Sequence, residues 1–139
     1  MRLYRTRFTV AWAHCDSAGI VFYPNFAVWF DQGTEALFRA NAMGYPELAR
    51  DYGVTGMPLV ETGTTYRWPC HLGVEIEQES WVEEWGTRAF LVRHRITLPD
   101  GEVAAEGFER RCLMVRDPDA PRGIRAIVFP EDAKKRFVD

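Results

Sequence analysis

The chain has 139 residues and a mass of 16.0 kDa, which fits one domain, 1–139, with a core of its own. Its 47% hydrophobic and 14% aromatic content excludes a mainly disordered chain, and no apolar run approaches the ~18 residues that a membrane span needs. The net charge of −3 and pI of about 5.6 argue against a nucleic-acid partner.

The first predicted strand runs from Leu3 to about Trp12, and a glycine-containing loop, His14 to Tyr23, follows it. Pro24 then stands where helices favour proline, in the first turn. Phe26, Trp29, Phe30, Gly33, Ala36, Leu37 and Ala40 recur at three and four residues, one apolar face of a long helix that Gly44 closes. Gly33 on that face would let a bulky group or a backbone approach closely. A short helix is expected over Pro46–Tyr52. The period then falls to two. Leu59–Trp68 reads as a strand, and Val74, Ile76 and Val82 alternate with Glu75, Glu77, Glu79 and Glu83 in a half-exposed one. After the turn Trp85-Gly86-Thr87, Phe90, Val92, His94, Ile96 and Leu98 share a face, which marks His94 as a core residue. Pro99-Asp100-Gly101 is a hairpin turn, Val103–Val115 a long strand, Asp117–Gly123 a loop, Ile124–Phe129 a last short strand, and the tail from Pro130 a turn or two of helix. This order predicts an α+β fold, an antiparallel sheet of five or six strands with one dominant helix. A sheet packed on a single helix leaves a face and an edge to cover, which dimerisation would do.

The N-terminal stretch is basic but has no apolar segment behind it, so no secretory signal is expected. Cys15, Cys70 and Cys112 are widely spaced and odd in number, and read as reduced thiols in a cytoplasmic protein. Neither His14-Cys15-Asp16 nor Cys70-His71 has the paired spacing of a structural zinc site, and no metal or other cofactor is expected. Lys134 and Lys135 are the only lysines. The remaining positive charge is arginine, whose planar fork suits phosphate.

The segment from His14 to Asn25 carries the chemistry. Asp16 lies on a loop that feeds directly into a helix N-terminus, where unpaired N–H groups and a partial positive charge can polarise a carbonyl oxygen. The loop would then present a nucleophile or base on one side and an oxyanion site on the other. The ordinary alternative for a loop aspartate is a capping or Asx-turn role.

Asp16-Ser17-Ala18-Gly19-Ile20-Val21-Phe22-Tyr23-Pro24-Asn25-Phe26 resembles the signature of the 4-hydroxybenzoyl-CoA thioesterase family of hotdog-fold proteins. The similarity continues through Trp29 and Asp31, Glu84-Trp85, Phe90, Arg93-His94 and Arg125-Ala126-Ile127, and so covers nearly the whole chain. The resemblance implies a hotdog fold, with the sheet wrapped around the long helix, and a homodimer or homotetramer with active sites at the dimer interface. It implies an acyl-CoA substrate with an aromatic acyl group. Asp16 would be the nucleophile or general base, and the Tyr23 amide would hold the thioester oxygen. Asp31 would contact a ring hydroxyl. Arg88 and Arg125, with Arg122 nearby, would meet the coenzyme A phosphates, although Gly86-Thr87-Arg88 is a thinner basic cluster than an aromatic-acyl member of the family carries after its Glu-Trp pair.

Three other readings compete. The acyl group could be aliphatic, with Phe22, Trp29, Phe30 and Trp68 lining the pocket. Catalysis could fall to a helix carboxylate, Asp31 or Glu35. A non-catalytic acyl-CoA or acyl-carrier binding module would use the same fold but has no need of Asp16 beside an oxyanion site.

Overall fold

The computed structural model describes residues 2–138. Its elements are β1 (Tyr4–Thr9), α1 (Pro24–Ala40), α2 (Tyr45–Tyr52), β2 (Val54–Gly56), β3 (Leu59–Tyr66), β4 (Glu75–Trp85), β5 (Ala89–Thr97), β6 (Val103–Arg116), β7 (Ile124–Ile127) and α3 (Glu131–Lys134). The strands form one antiparallel seven-stranded sheet in the order β1-β4-β5-β6-β2, with β3 and β7 also on β6. The sequence predicts five or six strands. The additional one is β2, whose three residues are too few to show a period.

The expected first strand is shorter than its apolar pattern. β1 ends at Thr9, and Trp12–His14 form a 3-10 turn that leads into the loop. The long helix also ends earlier than Gly44. Asn41 turns its side chain back onto the Leu37 carbonyl (2.8 Å), and Ala42 takes φ 57°. Gly44 instead begins α2. The Pro99-Asp100-Gly101 turn is as expected. Asp100 accepts from the Glu102 amide at 2.9 Å, and Gly101 takes φ 91°.

The sheet wraps α1, the hotdog arrangement. Burial follows the 3.6-residue period, with Phe26, Trp29, Phe30, Gly33, Leu37 and Phe38 facing the strands. α1 runs in the same direction as β4, which divides the core in two. Phe26, Trp29 and Phe30 pack with Ile76, Ile96 and Ala105 at one end. Leu37 and Phe38 pack with Val82, Phe90, Leu113 and Phe129 at the other. Gly33 is required where helix and sheet approach most closely. A Cβ there would overlap the Gln78 amide and lie 2.5 Å from Ser80 Oγ.

On the outer face of β4 the structure departs from simple alternation. Glu79, expected to be solvated, is buried beneath Arg5 and Arg95, which bond it at 2.7 and 2.9 Å. Burial pushes its carboxyl up, but the two guanidinium groups together hold it below the usual carboxylate range.

β3 pairs only with β6, so its other edge is open among the described residues, and Leu59, Val60 and Tyr66 on it are exposed. A strand of eight residues with one unpaired edge and exposed apolar side chains is a template for another strand.

Candidate active site

The Asp16 loop is a small closed hairpin. Phe22 donates its amide to the His14 carbonyl (2.9 Å), Asp16 to Ile20 (3.0 Å) and Gly19 to Asp16 (3.0 Å). Gly19 takes φ 73° at the tip, a conformation that favours glycine. Cys15 bridges Val21, and Ile20 bridges His71, which ties the loop to the chain before β4. Asn25, in the first turn of α1, donates to the His14 carbonyl at 2.8 Å and locks the helix start against the loop. Asp16 and the N-terminus of α1 therefore lie on the two limbs of one rigid turn.

Asp16 is exposed. One carboxylate oxygen accepts from the Ala18 amide at 2.9 Å, an Asx turn, and no cation pairs with it among the described residues. The capping and catalytic readings of this residue are thus compatible, since the second oxygen is left free. Tyr23 precedes Pro24 at the helix start, and its amide donates to no acceptor among the described residues. Proline supplies no N–H, so this one amide stands at the positive end of α1. A cavity of about 300 Å3 lies beside it, lined by Ile20, Val21, Tyr23, Phe26, Tyr66 and Trp68. Of the aromatic residues expected in a pocket, Trp68 lines this cavity, Phe22 is exposed, and Trp29 and Phe30 belong to the core.

His14 is engaged locally. Its Nδ1 accepts from the Ala11 amide (2.9 Å) and its ring stands edge-on to Trp29. Cys70 is buried, and burial pushes its thiol up to about 11. Cys15 donates its thiol to the Ala11 carbonyl. The helix carboxylates both have cationic partners. Glu35 pairs with Arg39 one turn on, and Asp31 pairs with Arg111 at 2.7 Å.

Arg111 was not singled out by the sequence, and it opens a buried polar chain. Its Nη2 donates to Asp31 and to Glu109, both at 2.7 Å, and its Nη1 donates to the Met57 carbonyl at 2.7 Å. Glu109 also accepts from Thr34 and from His94 Nε2 (3.0 Å). An ionised carboxylate only accepts, so Nε2 carries the imidazole proton, and Nδ1 accepts from Ser80 Oγ at 2.7 Å. Gln78 donates to Ser80 and to the Trp29 carbonyl. Burial pushes the Glu109 carboxyl up, yet His94, Arg111 and Thr34 outweigh it and hold it at about 2. Burial holds His94 below its ordinary value, against the pull of Glu109. His94 is the core residue that the strand period predicts, stacked on Phe30 at 4.7 Å.

The expected phosphate-binding residues lie elsewhere. Arg88 is in the β4–β5 turn. Arg125 is on β7, paired with Asp117 at 2.9 Å, and Arg122 is in the preceding loop. Thr87 accepts from Phe129 just beyond β7, so the three arginines share one end of the sheet. That is the C-terminal end of α1, roughly 25 Å from the Asp16 loop at 1.5 Å per residue over 17 residues. The structure groups the arginines together but does not bring them to Asp16 and Tyr23 within one chain.

The thioesterase-like superfamily model matches residues 10–137. The chain belongs to this superfamily. It is accordingly a thioester hydrolase with a hotdog fold. The chain is 26% identical over 128 residues to the 4-hydroxybenzoyl-CoA thioesterase of Pseudomonas sp. strain CBS-3, a match covering 88% of this chain and 89% of that protein. The solved structure of that thioesterase superposes with a TM-score of 0.86 at 24% identity, covering 98% of this chain and 99% of the other. A second solved structure, of the gentisyl-coenzyme A thioesterase BH1999, superposes with a TM-score of 0.77 at 25% identity, covering 99% of this chain and 100% of the other. No helix among the described residues is long and apolar enough to cross a membrane.

Proposed function

We propose that the protein hydrolyses an aromatic acyl-CoA, 4-hydroxybenzoyl-CoA or a close relative, to the free acid and CoA. The observation that carries this reading is the pairing, on one rigid turn, of an unpaired carboxylate with an unpaired amide at a helix N-terminus. Asp16 has a free oxygen and no counter-ion, whereas the rival carboxylates Asp31 and Glu35 are held by arginines. The similarity to thioesterases acting on 4-hydroxybenzoyl- and gentisyl-CoA supports an aromatic acyl group.

In this reading the Tyr23 N–H binds the thioester oxygen and stabilises the negative charge that grows there. Asp16 attacks the carbonyl carbon. The C–S bond breaks, its electron pair leaves with sulfur, and water cleaves the resulting anhydride to return the carboxylate. A thiol with a pKa of roughly 8.5 leaves as thiolate without an acid to protonate it. Asp31 accepts from the ring hydroxyl. Arg88, Arg125 and Arg122 bind the CoA phosphates. Two chains joined along the open edge of β3 by a two-fold axis have antiparallel α1 helices, so each Asp16 loop lies toward the partner's arginine end. This is the support for a homodimer whose sites are shared.

The test is steady-state thiol release from benzoyl-, 4-hydroxybenzoyl-, acetyl-, hexanoyl- and palmitoyl-CoA, for wild type and Asp16→Asn. Asparagine keeps the acceptor for the Ala18 amide, so the turn is retained. Aromatic substrates are expected to lead in kcat/KM, and the variant to lose about 100-fold in kcat, ~3 kcal/mol in barrier. Full activity in Asp16→Asn overturns the catalytic assignment. Preference for hexanoyl- or palmitoyl-CoA overturns the aromatic one.

A further inference from the structure

Asp31 is the one residue proposed to read the acyl ring, and a surface side chain on a helix is a poor gauge of position unless something holds it. Its carboxylate is 66% exposed, while the guanidinium that pairs with it is 7% exposed. The ion pair is thus anchored from inside the protein. Two groups besides Asp31 fix Arg111. Glu109 accepts from the same Nη2 that reaches Asp31, the Met57 carbonyl accepts from Nη1, and the side chain is buried. Glu109 is fixed in turn by Thr34 from α1 and by His94 from β5. The chain of bonds continues through Ser80 and Gln78 to the Trp29 carbonyl on α1 itself. Helix and sheet are therefore cross-bonded through a buried network whose only solvent-facing end is Asp31.

Charge points the same way. Glu109 and Arg111 neutralise each other in the interior, so the network does not need Asp31 for balance. Asp31 adds a second carboxylate to an already paired arginine. Its Oδ1 is used, and its Oδ2 accepts from no side chain or backbone group among the described residues. What the fold has built is a carboxylate oxygen held at a set height on α1 and left open as an acceptor.

We propose that Arg111, backed by Glu109, is a positioning residue that makes Asp31 a discriminator for hydroxylated over unsubstituted aromatic acyl groups. This rests on the reading of Asp31 as the acceptor for a ring hydroxyl. Arg111 touches neither substrate nor the reacting atoms. It acts by holding one carboxylate oxygen in place, and its fork geometry is what a lysine at the same position lacks.

The experiment compares kcat/KM for 4-hydroxybenzoyl-CoA and benzoyl-CoA in wild type, Arg111→Lys, Asp31→Ala and the double variant. Wild type is expected to favour the hydroxylated substrate. Arg111→Lys keeps the charge beside Glu109 and is expected to lower that preference by about tenfold, through 4-hydroxybenzoyl-CoA, with turnover of benzoyl-CoA retained. Asp31→Ala is expected to lose the preference. Adding Arg111→Lys to it is expected to change the ratio no further, as for two residues acting through one contact. A ratio unchanged in Arg111→Lys overturns the positioning role, and so does an equal fall for both substrates, which is what a purely structural role would give. If Arg111→Lys fails to fold, Glu109→Gln carries the same comparison, because it releases the guanidinium from the other side. A wild type that hydrolyses aromatic acyl-CoAs without preferring the hydroxyl overturns the assignment of Asp31 and this inference with it. A wild type that hydrolyses neither overturns the substrate reading itself.

Discussion

Asp16 and Asp31 are both exposed aspartates at the N-terminal half of one structural unit, and their surroundings give them different chemistry. Asp16 is held by a single backbone amide and has no cation beside it, which leaves a carboxylate free to attack. Asp31 is held by a buried arginine, which leaves a carboxylate suited to accept. The sequence marked both through a family motif, and marked Tyr23 through its place before Pro24. It did not mark Arg111 or Glu109. Both lie on the inward face of β6 in phase with Gly107 and Leu113, whereas the adjacent Arg110 points outward. An opposite-charge pair two residues apart on the face that also carries core residues was the available signal, and it becomes legible only once the strand phase is known. The same network sets a pH dependence of stability. His94 is held below its ordinary 6.5 by burial, so the unfolded chain takes up that proton first and stability falls as pH drops below about 6.5. Glu109, at about 2 in the folded chain against 4.5, adds a second loss as pH falls from 4.5 toward 2. Urea midpoints measured from pH 8 to pH 3 are expected to decline from the first of these thresholds onward, and His94→Gln to remove the earlier decline while lowering stability overall. A midpoint that is flat between pH 7 and pH 5 would contradict a neutral buried His94.

At the scale of elements, the period of apolar residues located α1 and the long strands because each spans several repeats. It located their ends less well, since ends depend on single side chains such as Asn41, which turns back on the Leu37 carbonyl. It did not locate β2, which exists because β6 runs past β3 and offers further edge to the chain leaving α2. The role of Gly33 was legible as an expectation of close approach, and the structure supplies the neighbours, Gln78, Ser80 and His94. Two effects compete on Gly33→Ala. Alanine gains about 1 kcal/mol in helix propensity. Overpacking at a closed contact costs about 1–3 kcal/mol, and here the groups displaced are hydrogen-bonded to one another, so they cannot move singly without leaving a buried polar atom unpaired. The cost is expected to win, with a melting temperature several degrees below wild type. A Tm equal to or above wild type would show that α1 can shift away from β4 to accommodate the methyl group.

The whole molecule poses a problem that no single element solves. The proposed catalytic pair sits at the start of α1, and the proposed phosphate-binding arginines sit near its end, a helix length away. A second copy resolves this if the chains join along the open edge of β3, because a two-fold axis there is isologous and sets each helix against the other in reverse. Each site would then take Asp16 and Tyr23 from one chain and Arg88 and Arg125 from its partner. This arrangement makes a prediction that a site contained in one chain does not. Asp16→Asn and the double variant Arg88→Ala/Arg125→Ala are each expected to be nearly inactive at low acyl-CoA. The arginines are exposed, and the Arg125 pair with Asp117 is a surface one, so their loss is expected to leave folding intact. Co-expressed in equal amounts, the two variants form mixed dimers. In a mixed dimer with shared sites, one site carries both defects and the other carries neither. With half of the dimers mixed and one sound site in each, activity is expected to recover to about one quarter of wild type. If each chain supplied its own arginines, every site in the mixture would carry one defect, and activity would stay at the level of the parents. Recovery without a change in sedimentation from that of the separate variants would further show that the exchange occurs within the normal assembly and not through a new one.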